Sequence, residues 1–160
     1  MKQLLTYGTV VVLALASLGL LLAQSNPQVG TWKLNVAKSK YVNAQAVKNE
    51  MRTVEPQGAG AKISFVGVAG DGSRIAWSYT TNYDGKDSAT SGVGVPMAAD
   101  TIASKSVNAN TVSSTFKKAG KVVRTSTYVV SKDGKVTAIT SKWTNEQGQP
   151  ASQTTVFDKQ

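Results

Sequence analysis

Val29-Gly30-Thr31-Trp32-Lys33-Leu34-Asn35-Val36 alternates without a break: Gly30, Trp32, Leu34 and Val36 fall on one side, Thr31, Lys33 and Asn35 on the other. Successive side chains of a strand point to opposite faces, so a two-residue period of this kind marks a half-buried β-strand. The chain beyond Val36 reads as short strands separated by turns, which makes Gly30 and Trp32 the head of an all-β domain.

Residues 50–55 read as a strand halted by Pro56 and the Gly58-Ala59-Gly60 turn. Residues 62–69 put Ile63 and Phe65 on one face, and Gly70-Asp71-Gly72 turns the chain into 74–83, where Ile75, Trp77, Tyr79 and Tyr83 share a face. Further strands are expected at 101–107, 111–117, 122–131, 136–144 and 153–157, separated by Asn108-Ala109-Asn110, Ala119-Gly120, Asp133-Gly134 and Gln147-Gly148-Gln149-Pro150. Residues 38–48 lack strict alternation and are expected to hold a short helix or an irregular crossover. Residues 88–99, rich in small side chains and carrying Pro96, are expected to loop over one end.

Connections this short leave no room for crossover helices, so the strands form an antiparallel up-and-down meander. It closes into a barrel of about 8–10 strands or, as the alternative, packs as a β-sandwich. Residues 122–130 bear on this choice, because Arg124, Ser126 and Tyr128 oppose Thr125, Thr127 and Val129, with neither face purely apolar. A sandwich half separates wet from dry sharply, whereas a small barrel can enclose a hollow of mixed polarity. The pattern favours the barrel.

Serine and threonine together number 33 of 160 residues, aromatics make up only 7%, and such strands are built from modest side chains that leave space inside. The formal net charge is +9, with no cysteine and no histidine. Disulfides and thiolate chemistry are thereby excluded, together with the commonest general base and metal ligand. Neither a metal nor a cofactor is expected. The lysines at turn tips, among them Lys117, Lys118, Lys121, Lys132 and Lys135, serve solubility and discourage edge pairing. They also suit an anionic envelope surface better than nucleic acid.

Lys2 followed by the apolar run 10–22 and small residues has the pattern of a secretory leader, with cleavage expected near Ala23 to Ser25. Such a run rises only about 20 Å as a helix against a hydrocarbon core of about 30 Å. The expected product is a secreted or periplasmic single domain, 26–160, with no membrane-spanning segment and a monomeric state.

Gly30-Thr31-Trp32-Lys33-Leu34 at the head of a meander, followed by Lys38-Ser39-Lys40-Tyr41 and by Asp-Gly hairpins at 71–72, 84–85 and 133–134, resembles the opening of the calycin superfamily, the lipocalins and fatty-acid-binding proteins. The domain also resembles small exported bacterial lipocalin-like proteins. The resemblance implies an up-and-down barrel with Gly30 and Trp32 at its closed end and a small amphiphile inside. Two departures stand out. The last strand lacks the Arg-x-Tyr pair with which fatty-acid-binding proteins hold a carboxylate, and no arginine follows Arg124 to stack on Trp32, which leaves a lysine such as Lys142 or Lys159 for that place.

The binding residues expected are therefore Phe65, Trp77, Tyr79 and Ile139 for an apolar body, with Arg124, Tyr128 or Lys105 orienting a polar or anionic head. Arg124 and Tyr128 lie four apart on one strand and so share a face; a planar guanidinium suits an oxyanion. Whether that face looks inward is open, the alternative being a solvated arginine whose stem covers its neighbours. Asp71, Asp84 and Asp133 are assigned to local backbone bonds in Asp-Gly turns, and the remaining carboxylates form no close pair on a strand. No catalytic residue is named. A cofactor-independent isomerase or cyclase is the lesser reading, and a raised carboxylate pKa within a pocket would favour it.

Overall fold

The computed structural model describes residues 26–160; the expected leader and its cleavage site lie outside the described residues. Eleven strands follow in order: β1 (Gly30–Val42), β2 (Val47–Gln57), β3 (Gly60–Ala69), β4 (Arg74–Thr81), β5 (Asp84–Ala89), β6 (Ser91–Val93), β7 (Thr101–Asn108), β8 (Thr111–Lys118), β9 (Lys121–Val130), β10 (Val136–Thr144) and β11 (Pro150–Lys159). The helical content of the described residues is one 3-10 turn, Pro96–Ala98. No helix among them is long and apolar enough to cross a membrane.

All eleven strands join one antiparallel sheet in the order β5-β7-β8-β9-β10-β11-β1-β2-β3-β4-β6. The sandwich alternative is thus overturned, because a single ladder runs through every strand and brings the last one beside the first. Trp32 pairs with Lys159 and Leu34 with Phe157 across that junction. At the opposite junction one stretch, 84–93, serves both edges: Asp84–Ala89 pairs with β7, and Ser91–Val93 then pairs with β4. The sheet is a nearly closed barrel.

This shared stretch raises the strand number to eleven, above the expected 8–10, and turns a region read as loop into two short strands. Gly92 permits it, having a φ of 112° and lying so near β4 that a Cβ would stand 2.1 Å from the Ala76 carbonyl oxygen. Only a residue without a side chain fits there. The region 38–48 holds no helix. Instead β1 runs on to Val42 past a bulge between Asn35 and Lys40. Within the bulge Lys38 N–H donates to Asn35 Oδ1 (3.1 Å), Ser39 Oγ donates to the Asn35 carbonyl (2.8 Å), and Val156 N–H donates to Ser39 Oγ (3.1 Å). Side chains replace the ladder there. The alternation breaks as a result, so Val36, expected on the buried face, is 50% exposed.

Trp32 and Leu34 are buried as their alternation requires, and they join a core of Val54, Ile63, Phe65, Ile75, Trp77, Tyr79, Ile102, Phe116, Val130 and Phe157. Asp71, Asp84 and Asp133 each accept a backbone N–H two residues on, from Ser73, Lys86 and Lys135. Those Asx turns fix where strands stop.

Candidate binding cavity

Both ends of the barrel arise from the meander. Its closed end holds residues 26–29 and the chain terminus. Trp32, 0% exposed, donates from Nε1 to the Gln28 carbonyl (2.9 Å), and the Lys159 ammonium stands 5.1 Å from the Trp32 ring centroid. Of the two lysines expected as partners for Trp32, the structure selects Lys159. Gly30 lies beside the same lysine; a Cβ on it would approach Lys159 Cε to 2.8 Å.

The other end opens into a cavity of about 900 Å³, rimmed by residues of the turns at 43–45 and 145–147 and by Gly94, Val95, Pro96, Met97, Ala98 and Lys118. Two unlike walls line it. On β3 and β4, Phe65, Ile75 and Trp77 present rings and methyls; Phe65 and Trp77, directly paired, stack with centroids 4.5 Å apart and planes 8° from parallel. Phe116 meets Trp77 edge-on at 6.1 Å. On β9, β10 and β11 the wall is hydrogen-bonding: Ser126, Gln153 and Thr155, with Ile139 among them.

This second wall belongs to a longer polar row. Ser104 pairs with Ser114, Ser114 with Ser126, Ser126 with Ser141, Ser141 with Gln153, and Gln153 with Tyr41, crossing six neighbouring strands at one level. The four serines are buried, and their hydroxyls bond in twos, Ser104 with Ser114 at 2.7 Å and Ser126 with Ser141 at 2.8 Å. Serine is small as well as polar, so the four hydroxyls satisfy one another in pairs and leave room beside them, while the Tyr41 hydroxyl at the end of the row has no partner among the described residues. Here the hydroxyl-rich sequence has its structural meaning.

Charge sits between the walls. Arg124 points inward, its guanidinium carbon 4.8 Å from the Trp143 ring centroid and 5.8 Å from that of Phe116. The open question of its facing is settled, and the solvated alternative is excluded. Glu50 lines the same cavity from β2. Burial pushes its carboxyl up to about 7, against the opposing pull of Arg124 and Arg52. No direct ion pair joins Glu50 to either arginine among the described residues. Burial likewise lowers the Arg124 pKa, with Tyr128 and Glu50 working the other way.

Of the expected residues, Phe65, Trp77, Arg124, Tyr128 and Ile139 line the cavity together. Tyr79 does not line it; buried, it stacks on Trp77 at 5.8 Å. Lys105 is a correction. It is exposed on the outer face of β7, opposite Asp84, because Ile102 and Ser104 take the inward parity. Lys117 is not a free tip charge either, since its ammonium holds both Asp87 oxygens at 2.8 and 2.9 Å. Glu50, Arg52, Trp143 and Gln153 were not anticipated. Parity was the available signal, for Glu50 and Arg52 share the face of the apolar Val54.

No family model and no curated protein matches the sequence. Among solved structures, zebrafish ileal bile acid-binding protein, crystallised with cholic acid, superposes with a TM-score of 0.55 over 84% of this chain and 99% of its own, at 12% identity. The chain shares the antiparallel barrel fold of that protein. The likeness at this identity is one of fold, and the Trp32–Lys159 stack, the open mouth and the two walls are read from this chain's own residues.

Proposed function

We propose that this barrel binds a small amphiphilic monoanion whose body is apolar on one side and hydroxylated on the other. The observation that carries the reading is Arg124, a cation inside a cavity of about 900 Å³ with no carboxylate bonded to it among the described residues. Within the cavity the Arg124 charge faces Glu50, whose carboxyl is held up to about 7 and so offsets it only in part near neutrality, and an anion completes the balance. The acidic head belongs at Arg124 and Tyr128, the apolar side on Phe65, Ile75 and Trp77, and the hydroxylated side on Ser126, Gln153 and Thr155. The volume lies in the range of ligand cavities. A facially amphiphilic acid bound in zebrafish ileal bile acid-binding protein supports the reading by analogy of fold. We further read the chain as exported, on the leader pattern at 1–25.

Fluorescence titration with cholate, a long-chain fatty acid and an uncharged sterol tests this. Saturable binding of the hydroxylated acid, weaker binding of the sterol and loss of the difference in Arg124→Met are expected. Equal binding of all three, or of none, overturns it.

Glu50 supports a second reading. A carboxyl held up to about 7 by burial, in a cavity that also holds a guanidinium, has the make-up of a general base with an oxyanion partner, as a cofactor-independent isomerase of a carbonyl amphiphile needs. Deuterium from solvent entering a β,γ-unsaturated ketone, dependent on Glu50, would establish it. Absence of exchange leaves binding alone.

A further inference from the structure

Beneath the cavity, on the far side of Tyr128, lies a second charged group. Arg52 is 2% exposed, and two groups engage it: its Nη2 donates to Gln28 Oε1 (3.0 Å), and the Tyr128 ring covers its guanidinium at 5.4 Å. Gln28 is itself 1% exposed and anchored through its carbonyl to Trp32 Nε1, and through its own N–H to Asn26 Oδ1 (3.0 Å). Arg52 Nε and Nη1 and Gln28 Nε2 have no acceptor among the described residues. Each of these atoms is a donor.

The ionisable groups around Arg52 are Tyr79, Tyr128, Tyr83 and Glu50. Three are phenols that burial keeps protonated, and the carboxylate lines the cavity above, where it also faces Arg124. A buried guanidinium with two unsatisfied donor nitrogens and an amide donor beside it cannot suit a cation. Arg52 does not line the cavity, although Tyr128, whose ring its guanidinium covers, does, so the head of a cavity ligand is not its partner.

We propose that Arg52 and Gln28 form an inner site for a small inorganic monoanion of halide size, separate from the amphiphile cavity. The anion accepts from Arg52 Nη1 and Gln28 Nε2, and it neutralises a charge whose burial alone is costly. It thereby ties residues 26–29 to β2 and stabilises the closed end. The cavity reading is not needed for this, since Arg52 does not line the cavity.

Crystals of the protein grown in sodium bromide, with diffraction measured at the bromine edge, test the site directly. An anomalous peak within hydrogen-bonding distance of Arg52 Nη1 and Gln28 Nε2 is expected. In solution, replacing gluconate by chloride at constant ionic strength should raise the unfolding midpoint by roughly 5 °C in the wild type and leave Arg52→Met unmoved. If Arg52→Met does not fold, Gln28→Leu takes its place in the comparison. Water without anomalous signal at Arg52, a bromide only at Arg124, or a midpoint indifferent to chloride overturns the proposal.

Discussion

Arg124 stands directly opposite Trp143 on the neighbouring strand, its guanidinium carbon 4.8 Å from the indole centroid and both side chains facing the cavity. The stack holds the planar fork in place without using its N–H groups, which stay available to an oxyanion. Arg124→Met is expected to weaken binding of an anionic amphiphile about 10- to 100-fold and to leave an uncharged analogue within about twofold. Titration by intrinsic fluorescence measures both.

Glu50 makes that binding pH-dependent. With its carboxyl held up to about 7 mainly by burial, Glu50 is neutral below that pH and opposes an incoming anion above it. Affinity for a monoanion should fall about tenfold between pH 6 and pH 8, and Glu50→Gln should flatten the profile. Stability follows the same sign. The folded pKa exceeds the ordinary value of 4.5, so the contribution of Glu50 is complete below 4.5 and is lost as pH rises through about 7. Urea unfolding of wild type and Glu50→Gln at pH 5 and pH 8 checks it: the variant should gain on the wild type at the higher pH.

The buried serine pairs should couple. Ser126→Ala strands the Ser141 hydroxyl, which bonds it at 2.8 Å, and is expected to cost about 1–2 kcal/mol. The double variant Ser126→Ala/Ser141→Ala should cost less than the two singles summed, because no group is left unpaired. Additive losses in denaturant titrations would count against the pairing.

At the closed end, Trp32→Ala should cost about 3–5 kcal/mol, as truncation of a fully buried aromatic does. Removing only the ammonium above it, with Lys159→Met, should cost about 1 kcal/mol or less, since the lysine is exposed and its stem is largely kept. Thermal and urea unfolding of both variants measures the contrast.

Gly92→Val should open one junction and spare the other. Its side chain has no room beside the Ala76 carbonyl, so amide protection should drop at 76–78 and 91–93 while the β1–β11 ladder keeps its own. Hydrogen exchange resolved by residue distinguishes local opening from global loss.

Several of these features were legible in the chain. Trp32 and Leu34 declare their face by simple alternation, and Asp71-Gly72 and Asp133-Gly134 mark turns through a side chain that bonds its own backbone two residues on. The serine-rich later strands announced an interior of mixed polarity. Arg124 was readable as a candidate but not as an inward one, because Arg124, Ser126 and Tyr128 are opposed by Thr125, Thr127 and Val129, and neither set looks dry. Glu50 and Arg52 were harder still. A charged residue on a short strand is expected outside, and only parity with Val54 argued otherwise.

By itself, then, the sequence determined the strands and turns outside 38–48 and 84–93, the antiparallel meander and the buried face of Trp32, since each depends on residues a few positions apart. Tertiary structure decided the rest. It set Ser104, Ser114, Ser126 and Ser141 in one row, brought Arg124 over Trp143, turned Lys105 outward, and folded Gln28 in beneath Arg52. Inward and outward have meaning only once the first strand meets the last, and the register of that meeting is fixed by contacts spanning the whole chain.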